Sequence, residues 1–329
     1  MPIFLGGDAG ATKTHYLLAD ETGQALALGC GGCGNWEGIG IDAALVAHRA
    51  ALDAALRQAG LTVDDITASA FGLAGLDWPS DEPLLRAMID RLGLPGPKVL
   101  VNDGFIALRA GTTQPWGVAV IAGTGSAKSG RNRAGETFRT LGLSGPYGAD
   151  WGDWGGGEDI TDAAVAAVAQ AYIGLGPPTL LSERLAAFAG VPDAPTLLRE
   201  ITRGGRQLHG ATHVVFDTAA EGDPVARDIL VRSARALARS ANLVIRKLRM
   251  EDEDFELVLA GSVCKNKEPL WMDTLVAEVK AVAPKARPVR LDAPPATGAV
   301  LLAMEAAGLQ PGPAVRARLL ETAKALENC

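Results

Sequence analysis

The sequence predicts an α/β protein of two lobes, and three observations predict it. A strand–glycine turn–strand unit opens the chain, a second such unit starts near Gly117, and helical segments follow the strands in both halves. Its 329 residues suit about two domains at ~100–200 residues each.

Residues 3–5, 15–20 and 25–28 read as short strands, interrupted at Gly6-Gly7 and at Thr22-Gly23. Residues 41–59 are alanine-rich with apolar side chains at helical spacing, and Gly60 follows as a C-cap. Residues 68–73 read as a buried strand, and residues 80–92 as a helix capped by Ser80 and stopped at Gly93. A strand at 98–101 leads into a helix from Asp103. The pattern then restarts: a strand at 117–121 meets Gly123-Thr124-Gly125-Ser126, as Leu5 meets the glycines at 6–10, which suggests an internal duplication. Helices follow at 160–171, 180–189, 196–219 (broken by Gly204-Gly205 and Gly210) and 224–248. A strand at 255–260, a helix at 270–282, a strand at 287–291 and helices at 297–307 and 314–326 complete the chain. The lobe boundary is expected near residues 111–115, giving lobes of 1–112 and 113–329, with the terminal helix packing back on the first.

Hydrophobic residues make up 48% and charged residues 21%, which supports a large core and excludes disorder as the native state. The net charge of -7 and a pI near 5.2 argue against a nucleic-acid partner. No apolar run reaches the ~18–20 residues of a membrane helix and no signal peptide stands out, so a cytoplasmic location without a membrane partner is expected. Four cysteines are too few for a disulfide scaffold. Cys30-Gly-Gly-Cys33 has no second ligand pair for zinc and reads as a glycine-rich loop.

Two glycine-rich turns carry the chemistry. Gly7-Asp8-Ala9-Gly10-Ala11-Thr12-Lys13-Thr14 lies between strands. Glycine lets a backbone approach phosphate and offers its N–H groups, Thr12 and Thr14 add hydroxyls, and Lys13 adds charge. Asp8 could hold a metal ion through water, or form an Asx turn. Gly123 to Ser126 repeats the composition. Neither turn is a Walker A loop or a GxGxxG opening a helix.

Paired turns of this kind resemble the phosphate clamp of the actin-like, sugar-kinase and Hsp70 superfamily. More specifically, the chain resembles the N-acetylglucosamine kinase group, which shares a family with the BadF/BadG/BcrA/BcrD ATPases, from Gly6 to about Ala303. The resemblance implies the duplicated, ribonuclease H-like actin fold with the site between its lobes. It implies ATP and Mg2+ as cofactors, a small sugar as substrate, and a homodimer.

Within that resemblance, Asp8 to Thr14 is the DxGxTxT phosphate loop, so Gly10, Thr12, Lys13 and Thr14 bind ATP and Asp8 serves the metal. Gly123 and Thr124 belong to the second phosphate loop, with Ser126 beside the sugar. Gly34-Asn35-Trp36 falls where an Asn contacts the sugar, implying Asn35 and Trp36 in that pocket. Gly72 to Asp77 resembles the "GLSGxD" stretch, and Asn102-Asp103-Gly104 matches the strand-end Asp that acts as base. On the residues alone Asp103 reads more readily as a helix N-cap than as a base. Ser144 to Gly148 matches a sugar-binding turn, implying Gly145, Tyr147 and Gly148, with Tyr147 where the family has Trp. Gly152-Asp153 opens the family's GDEGS, where Trp154 replaces the Glu, and Asp153 is assigned to the sugar. Gly222 in Glu221-Gly222-Asp223 is assigned to the nucleotide pocket, and Gly261, Ser262 and Lys265 to the adenosine side. The ROK sugar kinases fit less well, because their zinc-binding cysteines are missing.

The reading is an ATP-dependent kinase phosphorylating O6 of N-acetylglucosamine or glucosamine. The alternatives are an ATP-driven electron-transfer activator of a dehydratase or reductase, and a non-catalytic sugar sensor.

Overall fold

The computed structural model describes residues 1–142, 152–205, 207–266 and 268–326. The first lobe begins with β1 (Ile3–Ala9), β2 (Thr14–Asp20) and β3 (Ala25–Gly31), an antiparallel meander. A short helix α1 (Trp36–Ile39) and the long α2 (Ile41–Ala59) lead to β4 (Ile66–Leu73), α3 (Asp81–Asp90), β5 (Lys98–Asn102) and α4 (Asp103–Gly111). β4 and β5 add in parallel on the far side of β1, giving the order β3-β2-β1-β4-β5.

The second lobe repeats this plan. β6 (Gly117–Ala122), β7 (Ser126–Arg131) and β8 (Thr137–Arg139) form the meander. Helices α5 (Gly157–Tyr172), α6 (Leu181–Ala189), α7 (Ala194–Thr202), α8 (Thr212–Ala220) and α9 (Pro224–Lys247) precede β9 (Phe255–Ala260). After α10 (Pro269–Lys280), β10 (Ala286–Arg290) completes a sheet of order β10-β9-β6-β7-β8. Read from the meander outwards, both sheets have the order 3-2-1-4-5 with the same strand directions. The duplication suspected from two glycine turns is therefore a duplication of topology.

Helix α2 ends as expected at Gly60, whose φ of 67° is left-handed, with its N–H bonded to the carbonyls of Leu56 and Arg57. Three local expectations fail. Gly6 and Gly7 do not interrupt a strand; they lie inside β1. A Cβ on Gly6 would run into the Ala296 carbonyl and the Val300 backbone of helix α11 (Ala296–Ala306), so these glycines permit close packing rather than a turn. Likewise Cys30 belongs to β3, whose Gly29 and Gly31 lie against the α2 backbone, and Cys33 carries a free thiol. Nor does Ser80 cap α3: its hydroxyl reaches only Asp81, whose carboxylate instead takes the N–H groups of Asp77 and Trp78.

The first sheet is covered by α2 and α3 on one face. On the other lie α11 and the last helix α12 (Pro313–Lys324), so the chain's end returns to its beginning. Helices α5–α10 pack with one face of the second sheet. Between the lobes runs α4. Ile106 packs on Gly72 of β4, whereas Ala107, Leu108 and Ala110 pack with Ala119 and Val258 of the second sheet. α4 is thus a wall shared by both lobes, and Asp103 is its first residue.

Candidate active site

β1, β4 and β5 run parallel, so their C-terminal ends share one edge. Asp8 pairs with Gly72, and Leu73 with Asn102, which puts Asp8 and the start of α4 two strand spacings apart, about 10 Å. Ligands of open α/β sheets bind outside such carboxyl ends. Asp103 is the first residue of α4, but the capping role falls to Asn102, whose Oδ1 accepts the Gly104 N–H at 3.1 Å. The carboxylate of Asp103 is therefore not spent as the cap. Burial holds its pKa above the ordinary value, opposed by the N–H groups at the helix start and by the Arg139 guanidinium. Asp8 is pushed up to about 7 by burial and by the charge of Asp103, with Lys13 pulling the other way.

The first glycine turn, expected to bind phosphate, is tight. Gly10 N–H donates to the Lys13 carbonyl at 3.0 Å, and Gly34 N–H to the Gly10 carbonyl at 3.0 Å. Ala11, Thr12 and Lys13 are exposed at its tip. Thr14 departs from the expected role of phosphate donor: it is fully buried in β2 and its hydroxyl donates to the Gly32 carbonyl at 2.9 Å. It braces the turn against the 32–35 loop. That loop is held on its other side by Trp36, whose Nε1–H donates to the Gly75 carbonyl at 2.9 Å. Asn35 caps α1 by accepting the Glu37 N–H at 3.0 Å, and its Nδ2 has no partner among the described residues. Beneath lie Tyr16 and His48, joined at 2.6 Å, with burial lowering His48 to about 4.

The second glycine turn, also expected to bind phosphate, is built by backbone contacts. Gly157 N–H donates to the Gly123 carbonyl at 2.8 Å and Glu158 N–H to the Thr124 carbonyl at 3.0 Å, so the start of α5 clamps it. Gly261, at φ 96°, lies so close that a Cβ would strike Ala122 and Gly123. The 123–125, 155–157 and 261 segments therefore converge. Thr124 is exposed at this turn, and Ser262 and Lys265 are exposed just after β9.

Ser126 and Asp153 point into the protein. Ser126 donates to the Asp153 carbonyl and accepts from Lys128 Nζ at 2.9 Å. Lys128 and Asp153 form a fully buried ion pair at 3.4 Å, and Asp153 also accepts the Gly142 N–H at 2.9 Å. Burial lowers Lys128 to about 8, partly offset by Asp153. These two assigned sugar ligands thus tie β7 to the 152–157 segment. Trp154, in place of the family's Glu, lies under the Arg232 guanidinium of α9 at 6.0 Å. Gly222 forms the exposed α8–α9 turn at φ 95°, next to Asp223, which caps α9. Gly145, Tyr147 and Gly148 lie outside the described residues.

Two side chains escaped sequence reasoning. Lys128 sits in Ser126-Ala-Lys-Ser-Gly, where a cation flanked by small residues inside a strand was the available signal. Arg139 of β8 reaches across to the first lobe and pairs with Asp77 at 3.1 Å. Nothing local distinguishes it from the other surface arginines.

A family model described as the BadF/BadG/BcrA/BcrD ATPase family matches residues 5–303. The chain belongs to this family. An N-acetyl-D-glucosamine kinase of Dictyostelium discoideum is 30% identical over 316 residues, covering 92% of this chain and 98% of the relative. An N-acetylmuramic acid/N-acetylglucosamine kinase of Clostridium acetobutylicum is 29% identical over 306 residues, covering 92% and 98%. Among solved structures, a candidate N-acetylglucosamine kinase of Chromobacterium violaceum superposes with a TM-score of 0.70 at 23% identity, covering 92% of this chain and 99% of that one. A ROK family glucokinase of Streptomyces griseus gives 0.59 at 19% identity, with 92% and 98% covered. These two show the fold: this BadF/BadG/BcrA/BcrD family member is a two-lobed α/β protein of the actin-like, sugar-kinase kind.

Proposed function

We propose that the chain transfers the γ-phosphate of ATP to a hydroxyl of an amino sugar, O6 of N-acetylglucosamine being the favoured acceptor. The observation that carries this reading is the position of Asp103. It stands at the head of the helix shared by both lobes, where Asn102 does the capping, on the strand edge that ends in the first phosphate turn. Both curated relatives named above are kinases of such sugars.

In the proposed reaction the sugar lies against the 32–36 loop, where Asn35 Nδ2 is available to a hydroxyl. Asp103 takes the hydroxyl proton as the oxygen attacks the γ-phosphorus; the bond to the β–γ bridging oxygen breaks and ADP leaves. Thr12 and Lys13 approach the phosphates from the first lobe and Thr124 from the second. Raised pKa values favour this role, since a base works best near the operating pH.

Mg2+ fits the donor set. The charge of Asp103 raises Asp8 and that of Lys13 lowers it, so added cationic charge is favourable there. Among the described residues no cluster of three or more acidic, His or Cys side chains could cage a metal. That suits a magnesium ion held by one carboxylate, waters and phosphates, with Asp8 as the protein ligand. When bound, it would neutralise charge on the β- and γ-phosphate oxygens.

The acetamido form is preferred because desolvating an ammonium costs far more than desolvating an amide unless it is paired. A coupled ADP-release screen over hexoses and amino sugars tests the reading. Sugar-stimulated release with N-acetylglucosamine supports it, and release indifferent to every sugar refutes it.

A further inference from the structure

The Arg139–Asp77 pair joins elements from different lobes. Arg139 ends β8, opposite Ser129 of β7, and the Ser129 hydroxyl lies against Gly104 in the first turn of α4. Asp77 belongs to the first lobe, in the segment after β4. Arg139 Nη1 sits 3.1 Å from Asp77 Oδ1 and Nη2 donates to the Asp77 backbone carbonyl, so one guanidinium grips both ends of the residue. Both side chains are only 16% exposed, so solvent does not screen this contact as it screens surface pairs.

The contact continues inward. Asp77 Oδ1 also accepts Asn102 Nδ2–H at 3.1 Å, and Asn102 Oδ1 accepts Gly104 N–H at 3.1 Å. A three-residue hydrogen-bonded path therefore runs from the second lobe to the two residues flanking Asp103. Asp77 is fixed independently by its own N–H, which donates to Asp81 at 3.0 Å. Glu37, Asp81 and Asp103 all crowd Asp77 with negative charge, and Arg139 is the cation that answers them. Breaking this half-buried pair would leave the carboxylates around Asp77 less well compensated.

We propose that Arg139 is a positioning residue that ties the second lobe to the base-bearing helix through Asp77 and Asn102, so that Asp103 is set for proton transfer only when the lobes stand in this arrangement. The proposal rests on the kinase reading for its kinetic arm alone. Arg139 acts through Asp77 rather than by touching the sugar, so its loss should lower kcat while sparing ATP affinity. Lysine can answer the Asp77 carboxylate but cannot also grip its carbonyl, so it should restore part of the effect.

The test combines turnover with amide hydrogen exchange on the full chain. Arg139→Met and Asp77→Asn should each lower kcat by about 10-fold, a cost in keeping with misplacing a catalytic group, with KM for ATP changed less than about twofold. The double variant should be no slower than the slower single, because both remove one path. Arg139→Lys should fall between, and exchange over residues 102–106 should quicken in the variants that lose turnover. Unchanged turnover and exchange in Arg139→Met and Asp77→Asn, or losses that multiply in the double variant, would overturn the proposal. If the wild-type protein releases no ADP with any sugar, the kinase reading fails separately, and exchange over 102–106 alone decides the tie.

Discussion

The carboxylates of Asp8 and Asp103 stand near enough across the β1–β4–β5 edge for the charge on Asp103 to help lift Asp8 to about 7. One belongs to a strand and precedes the phosphate turn; the other opens a helix and follows its cap. That division of settings suits the proposed division of work, in which Asp8 serves the nucleotide's metal and Asp103 the sugar.

Asp103→Asn should keep the fold and ATP binding while lowering kcat by roughly 10²–10⁴, the span for a lost general base. Asn102 does the capping, so α4 should begin at the same place in the variant. Near-wild-type turnover, with nucleotide binding intact by calorimetry, would remove Asp103 from the role.

Asp8 makes stability depend on pH in a defined direction. Its folded pKa, about 7, lies above the ordinary 3.8, so its contribution is fully present below 3.8 and is lost as pH rises towards 7. Asp8→Asn should therefore gain on the wild type in urea unfolding as pH climbs through that window, and gain nothing at its acid end. A difference that is flat across pH would contradict the burial assigned to this carboxylate.

The three threonines of the phosphate turns should separate. Thr12→Ala and Thr124→Ala, at exposed tips, should each weaken phosphate handling by about 1–3 kcal/mol, the scale of a charge-assisted hydrogen bond. Thr14→Val should instead lower stability, by roughly 1–3 kcal/mol, because the Gly32 carbonyl loses its buried donor. Denaturation and ATP titration of the three variants check this. Equal effects on ATP from all three would contradict the bracing role of Thr14.

Much of the fold was legible because the strong signals are local. The helix over Ile41–Ala59 with its stop at Gly60, and the apolar strand Phe255–Ala260, stand where periodicity puts them. Gly6 and Gly7 misled because strand glycines demanded by close packing, Gly6 against a helix 290 residues away and Gly7 against the Phe71 and Tyr16 rings, look in sequence like turn glycines. The site divides the same way. Asp8, Thr12, Lys13 and Asp103 announce themselves beside glycines or strand ends. The inward turn of Ser126 and Asp153 depends on Lys128, a partner two residues from one and 25 from the other. Arg139 was invisible because its importance lies in the approach of two lobes, which no local pattern encodes.

The central claim is phosphoryl transfer from ATP to an amino-sugar hydroxyl. Its most direct measurement is ADP release by the purified protein with Mg2+ and ATP, against N-acetylglucosamine, N-acetylmuramic acid, glucosamine and glucose, with the products identified by phosphorus NMR. The account predicts release that requires the sugar, the highest kcat/KM for N-acetylglucosamine, and a phosphate on O6. ADP release at one rate with and without every sugar, and no phosphorylated sugar among the products, would contradict it.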